Sequence, residues 1–170
     1  SFLGWMCETI YCSIDDKKFV NRGFLNGPFC PIYGTGAMLV IDIFMKYKDD
    51  LLVLFILSVV ITSIVEYITS YLLEKIFNLQ LWDYSTYSFN LNGRVCLKNS
   101  LMFGILSILA VEVIHPAVEG FLSKLPSWFL ITFTGTLVIY FICDVFITVK
   151  ALIQINMKAG HRQMQLDDVA

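Results

Sequence analysis

Residues 51–77 read LLVLFILSVVITSIVEYITSYLLEKIF. The opening run, Leu51 to Leu57, is apolar without a break. It therefore lacks the alternation of a barrel strand, and the whole stretch is as long as the ~17–25 residues a membrane-crossing helix needs. Working outward, three further apolar stretches bounded by charge or turn residues lie at roughly 28–45, 99–121 and 127–149. A shorter one, Ser1 to Ile14, falls below spanning length and has neither the basic start nor the cleavage site of a signal peptide. It is expected to be the remaining part of a longer first helix. The pattern predicts an all-α membrane protein: a bundle of about five transmembrane helices, the first truncated. Residues 1–150 would form a single transmembrane domain and 151–170 a cytoplasmic polar tail.

Composition agrees. The 170 residues are 57% hydrophobic and 15% charged, with a mean hydropathy of +0.71, whereas soluble domains run about 45–50% apolar and about 25% charged. A net charge of −2 leaves no basic field to hold a nucleic-acid backbone. Cys7, Cys12, Cys30, Cys96 and Cys143 form neither a C-x-x-C pair nor a zinc-like Cys/His spacing, and read as packing residues. No metal and no cofactor is called for.

The twelve Lys and Arg sort by loop. Lys17, Lys18 and Arg22 follow the first helix, Lys75, Arg94 and Lys98 the third, and Lys150, Lys158 and Arg162 the fifth; Lys46, Lys48 and Lys124 fall on the other side. Nine against three predicts an outside N-terminus and a cytoplasmic C-terminus in the cell membrane. Trp82, Trp128, Tyr84 and Tyr87 sit at span ends, where interfacial aromatics belong.

Seven of the fourteen acids lie within or beside apolar runs: Glu8, Asp42, Glu66, Glu74, Glu112, Glu119 and Asp144. A carboxylate at mid-membrane costs about 2.5–3.5 kcal/mol on insertion scales. Glu66 and Glu112, nearest the span centres, bear the heaviest penalty. In the third helix Ser58, Thr62, Glu66, Ser70 and Glu74 recur every four residues, a ridge along one face. Glu112, His115 and Glu119 extend the pattern to the fourth helix, and Thr136, Tyr140, Asp144 and Thr148 to the fifth. These stripes are either structural glue, with carboxyls bonded to Ser, Thr or Tyr, or a substrate or proton pathway through Glu66, Glu112, Asp144, His115 and Glu8. His115 either shuttles protons or bonds a carbonyl freed by Pro116.

Two loops are unlike solvated linkers. Asn21 to Gly36 interleaves four glycines and two prolines with Phe24, Leu25, Phe29, Ile32 and Tyr33, which predicts a re-entrant or broken segment near 21–36 on the cytoplasmic side. As an unwound segment it can hold a ligand; the alternative is an interfacial turn. The second, Trp82 to Leu97, surrounds Arg94 with aromatics and amides. Arg94 either takes an anion or pairs with Asp83, its nearest acid in sequence. Arg94, Asp83, Asn26, Tyr33 and Asn92 are accordingly the candidates for a cytoplasmic-side gate or anion site.

These residues carry a resemblance. Gly4-Trp5 with Glu8, GFLNGPFCPIYG at 23–34, Glu66-Tyr67, Trp82-Asp83-Tyr84-Ser85 with Asn90, Gly93 and Arg94, and His115-Pro116 together resemble the CmpB-like, type IV group of ABC transporter permeases, small membrane proteins found mainly in Gram-positive bacteria. The likeness covers most of residues 1–122. It implies a transport component working with a separate ATPase, and the chain itself has no G-x-x-x-x-G-K-[ST] nucleotide loop. The expectation is a non-enzymatic permease subunit in the lipid bilayer, joined to an ATPase or to further copies of itself, or driven by protons through its buried acids. Two other classes compete. A lipid-modifying intramembrane enzyme would use Glu8, Asp83 and Arg94 but shows no D-x-x-x-D, H-x-x-x-H or G-x-S-x-G constellation. A non-catalytic assembly partner would use the stripes only for packing.

Overall fold

The structure, a computed structural model, describes the backbone except at residues 16, 22 and 168–170, and leaves the side chains of residue 15 and of 158–167 undescribed as well. Arg22, and the side chains of Lys158 and Arg162, used in the charge count, thus lie outside the described residues. Five helices follow one another: α1 (Phe2–Asp15), α2 (Pro31–Phe44), α3 (Leu51–Phe77), α4 (Leu97–Leu122) and α5 (Ser127–Asp167). The last three are long and apolar enough to cross a membrane. Only 17%, 17% and 11% of their most apolar windows is buried within the chain, so their faces are built for hydrocarbon or for another protein.

Local chemistry sets the boundaries. The Asp50 carboxylate caps α3 by accepting from the Val53 N–H at 3.1 Å. At the other end Asn78 turns left-handed, φ 53°, and its N–H reaches the Glu74 carbonyl. Pro31 opens α2, where its missing N–H costs nothing. The broken segment therefore ends at Cys30, and residues 31–36, expected to be irregular, are helical despite Gly34 and Gly36. Within α4, Ala110–Ile114 forms a π turn in which the His115 N–H reaches back to the Ala110 carbonyl. Pro116, with no N–H to offer Glu112, is the cause of the slack.

α3 and α4 make the main contact. Ser100, Gly104, Ser107 and Val111 form the buried face of α4, and Ser63 and Ser100 hydroxyls meet at 2.8 Å. A Cβ at Gly104 would come within 2.6 Å of both Phe55 and Val59, so the absence of a side chain there is what lets the helices close. An apolar core of Val40, Phe44, Leu54 and Val111 joins α2, α3 and the π turn. It sits toward the 45–50 link, with buried Ser58 and Ser107 beside it, while Glu66 and Ser70 of α3 are buried nearer the end of that helix that carries the hairpin loop. There β1 (Asn90–Leu91) and β2 (Val95–Cys96) pair antiparallel, Leu91 opposite Val95, around Asn92 and Gly93 at positive φ.

Candidate functional site

Glu66 lies 11 residues before the end of α3, about 16 Å of helix rise. It is 3% exposed. The hairpin folds the 78–96 loop back so that the Tyr84 N–H bonds the Gly93 carbonyl at 2.8 Å, and the Tyr84 hydroxyl donates to Glu66 Oε1 at 3.0 Å. Burial, then the adjacent Glu66 charge, pushes the Tyr84 phenol well above its ordinary range. Among the described residues Glu66 Oε2 has no hydrogen-bond partner, and neither has the hydroxyl of Ser58 two turns away. A buried oxygen left unmet costs about 1–3 kcal/mol, so the buried face of α3 holds polar capacity that the described chain does not use.

A second phenol–carboxyl pair stands beside the first. Tyr33, in the first turn of α2, donates to Glu8 of α1 and packs edge-on against Phe103 of α4. The two phenols are within electrostatic reach of each other. Gly4 makes room for the Tyr33 ring, since a Cβ there would lie 2.5 Å from it. Glu8, Tyr33, Tyr84 and Glu66 thus form one polar cluster drawn from α1, α2, the hairpin loop and α3.

Asp144 is 6% exposed and does something else. Its Oδ2 accepts from the Gly27 N–H at 2.8 Å and its Oδ1 from the Asn26 N–H at 3.2 Å. The Asn26 side-chain amide reaches Thr148 at 2.9 Å. A Cβ at Gly27 would lie 2.5 Å from the Tyr140 hydroxyl, so a side chain there would block this approach. Phe29 against Tyr140 and Phe141, and Phe24 against Phe77, complete the docking of the broken segment. Asp144 of α5 satisfies two of its backbone N–H groups, and the Gly27 and Ser1 carbonyls accept from Phe29 and Cys30.

Arg94 pairs with Glu74, not with Asp83. That hydrogen bond pushes the guanidinium further up its already high range. Asp83 instead accepts from the Ser85 N–H at 2.9 Å and the Ser85 hydroxyl at 3.1 Å, an Asx turn that holds the loop. Asn92 donates to the Tyr67 hydroxyl at 3.0 Å. Glu112 does not join the cluster. Val111 faces the core, so the next residue points away, and Glu112 is exposed. His115 is half-buried with Nδ1 unbonded, 3.9 Å from Glu119. Thr136 and Tyr140 are exposed too, so the α5 stripe is buried only at Asp144 and Thr148.

Tyr84, Gly27, Thr148 and Glu74 were not singled out as site residues from the sequence. Asn92-Gly93 was the available signal for Tyr84 and Glu74, because that dipeptide marks a hairpin that returns the loop to α3. Among known proteins, the family described as "Putative ABC-transporter type IV" matches residues 1–149. No curated protein and no solved structure matches the chain.

Proposed function

Because the chain belongs to the family described as Putative ABC-transporter type IV, we propose that it is the permease subunit of a transporter, working with a separate ATPase and not itself an enzyme. One observation carries the reading: Glu66 is buried in a membrane-length helix with one oxygen on Tyr84 and the other without a partner among the described residues. A carboxyl so placed is stable when a passing substrate group or proton supplies the missing contact. The second pair, Glu8 and Tyr33, extends the path toward α1 and α2, and the Asp144-held segment is the gate on the same side. The loops carrying most of the basic residues face the cytoplasm on this reading. Exposed Glu112 in α4 favours a further membrane helix beside it, from a second copy or another subunit.

The unmet oxygen of Glu66 favours proton coupling as the alternative drive. Both are tested on the full-length protein captured from its native membrane in mild detergent. A stoichiometric ATPase is expected among the bound proteins; a folded, monodisperse preparation without one rejects ATP coupling. In sealed vesicles containing a pH-sensitive dye, Glu66→Gln is expected to abolish any proton flux that the wild-type protein carries. Unchanged flux in that variant removes Glu66 from the pathway.

A further inference from the structure

Beside the buried ridge of α3 runs a second stripe at intervals of four, Ser63, Tyr67, Tyr71 and Lys75. Its chemistry changes in order along the helix. At the Ser63 end a groove of about 280 Å³ opens on the outer surface between α3 and the hairpin, lined by Ser63, Ile64, Tyr67, Ile68, Leu91 and Val95. Ile64, Ile68 and Leu91 are exposed, so the groove faces the membrane. Next come two phenol rings, with the Arg94 guanidinium 5.6 Å from the centroid of each. Last is Lys75, whose ammonium lies 3.2 Å from the Tyr71 hydroxyl.

Apolar groove, phenols, then cations is the order of groups met along one phospholipid, from acyl chain through the glycerol region to phosphate. The length agrees. Ser63 to Lys75 is 12 residues, about 18 Å of rise, and half the hydrocarbon core is about 15 Å. The charge selects the headgroup. Arg94 is already engaged by Glu74, and Asp83 is turned into its own loop, so among the described residues the Lys75 ammonium has a phenol beside it and no acid paired with it. That unpaired ammonium, at the end of a membrane-length helix, is neutralised by an anionic lipid and not by a zwitterionic one.

We propose that this groove is a binding site for one anionic glycerophospholipid, its acyl chain along Ile64 and Ile68 and its phosphate at Lys75 and Arg94. Tyr67 and Tyr71 are then the rings against which the glycerol region packs. The site lies outside the Glu66 cluster and does not depend on the transport reading.

Trp82 reports on it, because its indole donates to the Arg94 carbonyl at 2.9 Å. The full chain, with Trp5 and Trp128 replaced by Phe, is reconstituted in vesicles in which phosphatidylglycerol or phosphatidylcholine, at equal mole fraction, carries brominated acyl chains. The expected result is stronger quenching of Trp82 by the brominated phosphatidylglycerol. Lys75→Gln should lower that preference about fivefold, and Ile68→Phe, which fills the groove, should abolish it. Both residues are exposed, so neither change endangers the fold. Equal quenching by the two lipids in the parent chain overturns the proposal, and so does a preference that either substitution leaves undiminished.

Discussion

The Tyr84 hydroxyl donates to Glu66 Oε1 at 3.0 Å across 18 residues of sequence, tying the loop after α3 to the interior of that helix. Tyr84→Phe keeps the ring and removes the donor, leaving both carboxyl oxygens of Glu66 unmet. A loss of about 1–3 kcal/mol is expected, read as a lower unfolding temperature in detergent. In a Glu66→Leu background the same change should cost much less, because no buried acceptor remains. Equal losses in the two backgrounds would show that the bond contributes nothing to the fold.

The raised titration of Tyr84 has a direction in pH. Burial and the neighbouring Glu66 disfavour the phenolate in the folded protein, whereas an unfolded tyrosine titrates at about 10. The stability this phenol contributes is complete below the unfolded value and is lost as pH rises through the folded one. Alkaline titration followed in the phenolate absorption band should leave Tyr84 protonated while exposed tyrosines ionise, and release it with unfolding. The amplitude of that late step should shrink in Tyr84→Phe. An unchanged late step assigns it to other phenols.

Asp144 holds the 23–30 segment through two backbone N–H groups, so its removal should free that segment before it melts the bundle. A typical intramolecular hydrogen bond contributes about 0.5–1.5 kcal/mol. Asp144→Asn keeps the shape but turns an amide toward one of the donors, and should raise amide hydrogen exchange across residues 24–30 while leaving α3 and α4 protected. Exchange that rises everywhere at once would make Asp144 a general structural residue and not a latch.

Much of the architecture is legible in the residues. Length and unbroken apolarity announce α3, α4 and α5, and the four-residue recurrence of Ser58, Glu66 and Ser70 marks the face that is buried. What stays hidden depends on partners distant in sequence or on helix phase. Arg94 is nearer to Asp83 than to Glu74 along the chain, yet the hairpin turns it back over α3. Glu112 has the spacing of a stripe residue, but Ser100, Gly104 and Ser107 have already settled which side of α4 packs, and that side ends at Val111. Asp144 is visible as an intramembrane acid. Its shorter hydrogen bonds come from backbone N–H groups, which no residue pattern displays.

Two glycines of α4 separate packing from propensity. Both are helical, and alanine in a helix is favoured over glycine by about 0.8–1.0 kcal/mol. At Gly120 a new Cβ meets nothing within 4 Å, so Gly120→Ala should raise the unfolding temperature. At Gly104 the same methyl would sit 2.6 Å from a Phe55 ring carbon and from a Val59 methyl. Both belong to the helix against which α4 packs, and overpacking a close contact costs about 1–3 kcal/mol. Gly104→Ala should therefore lower the unfolding temperature despite its better propensity, and a second change, Val59→Ala, should recover part of the loss. If Gly104→Ala stabilises as Gly120→Ala does, α3 and α4 are not in close contact at this position. The polar pairs that depend on their approach would then need another support.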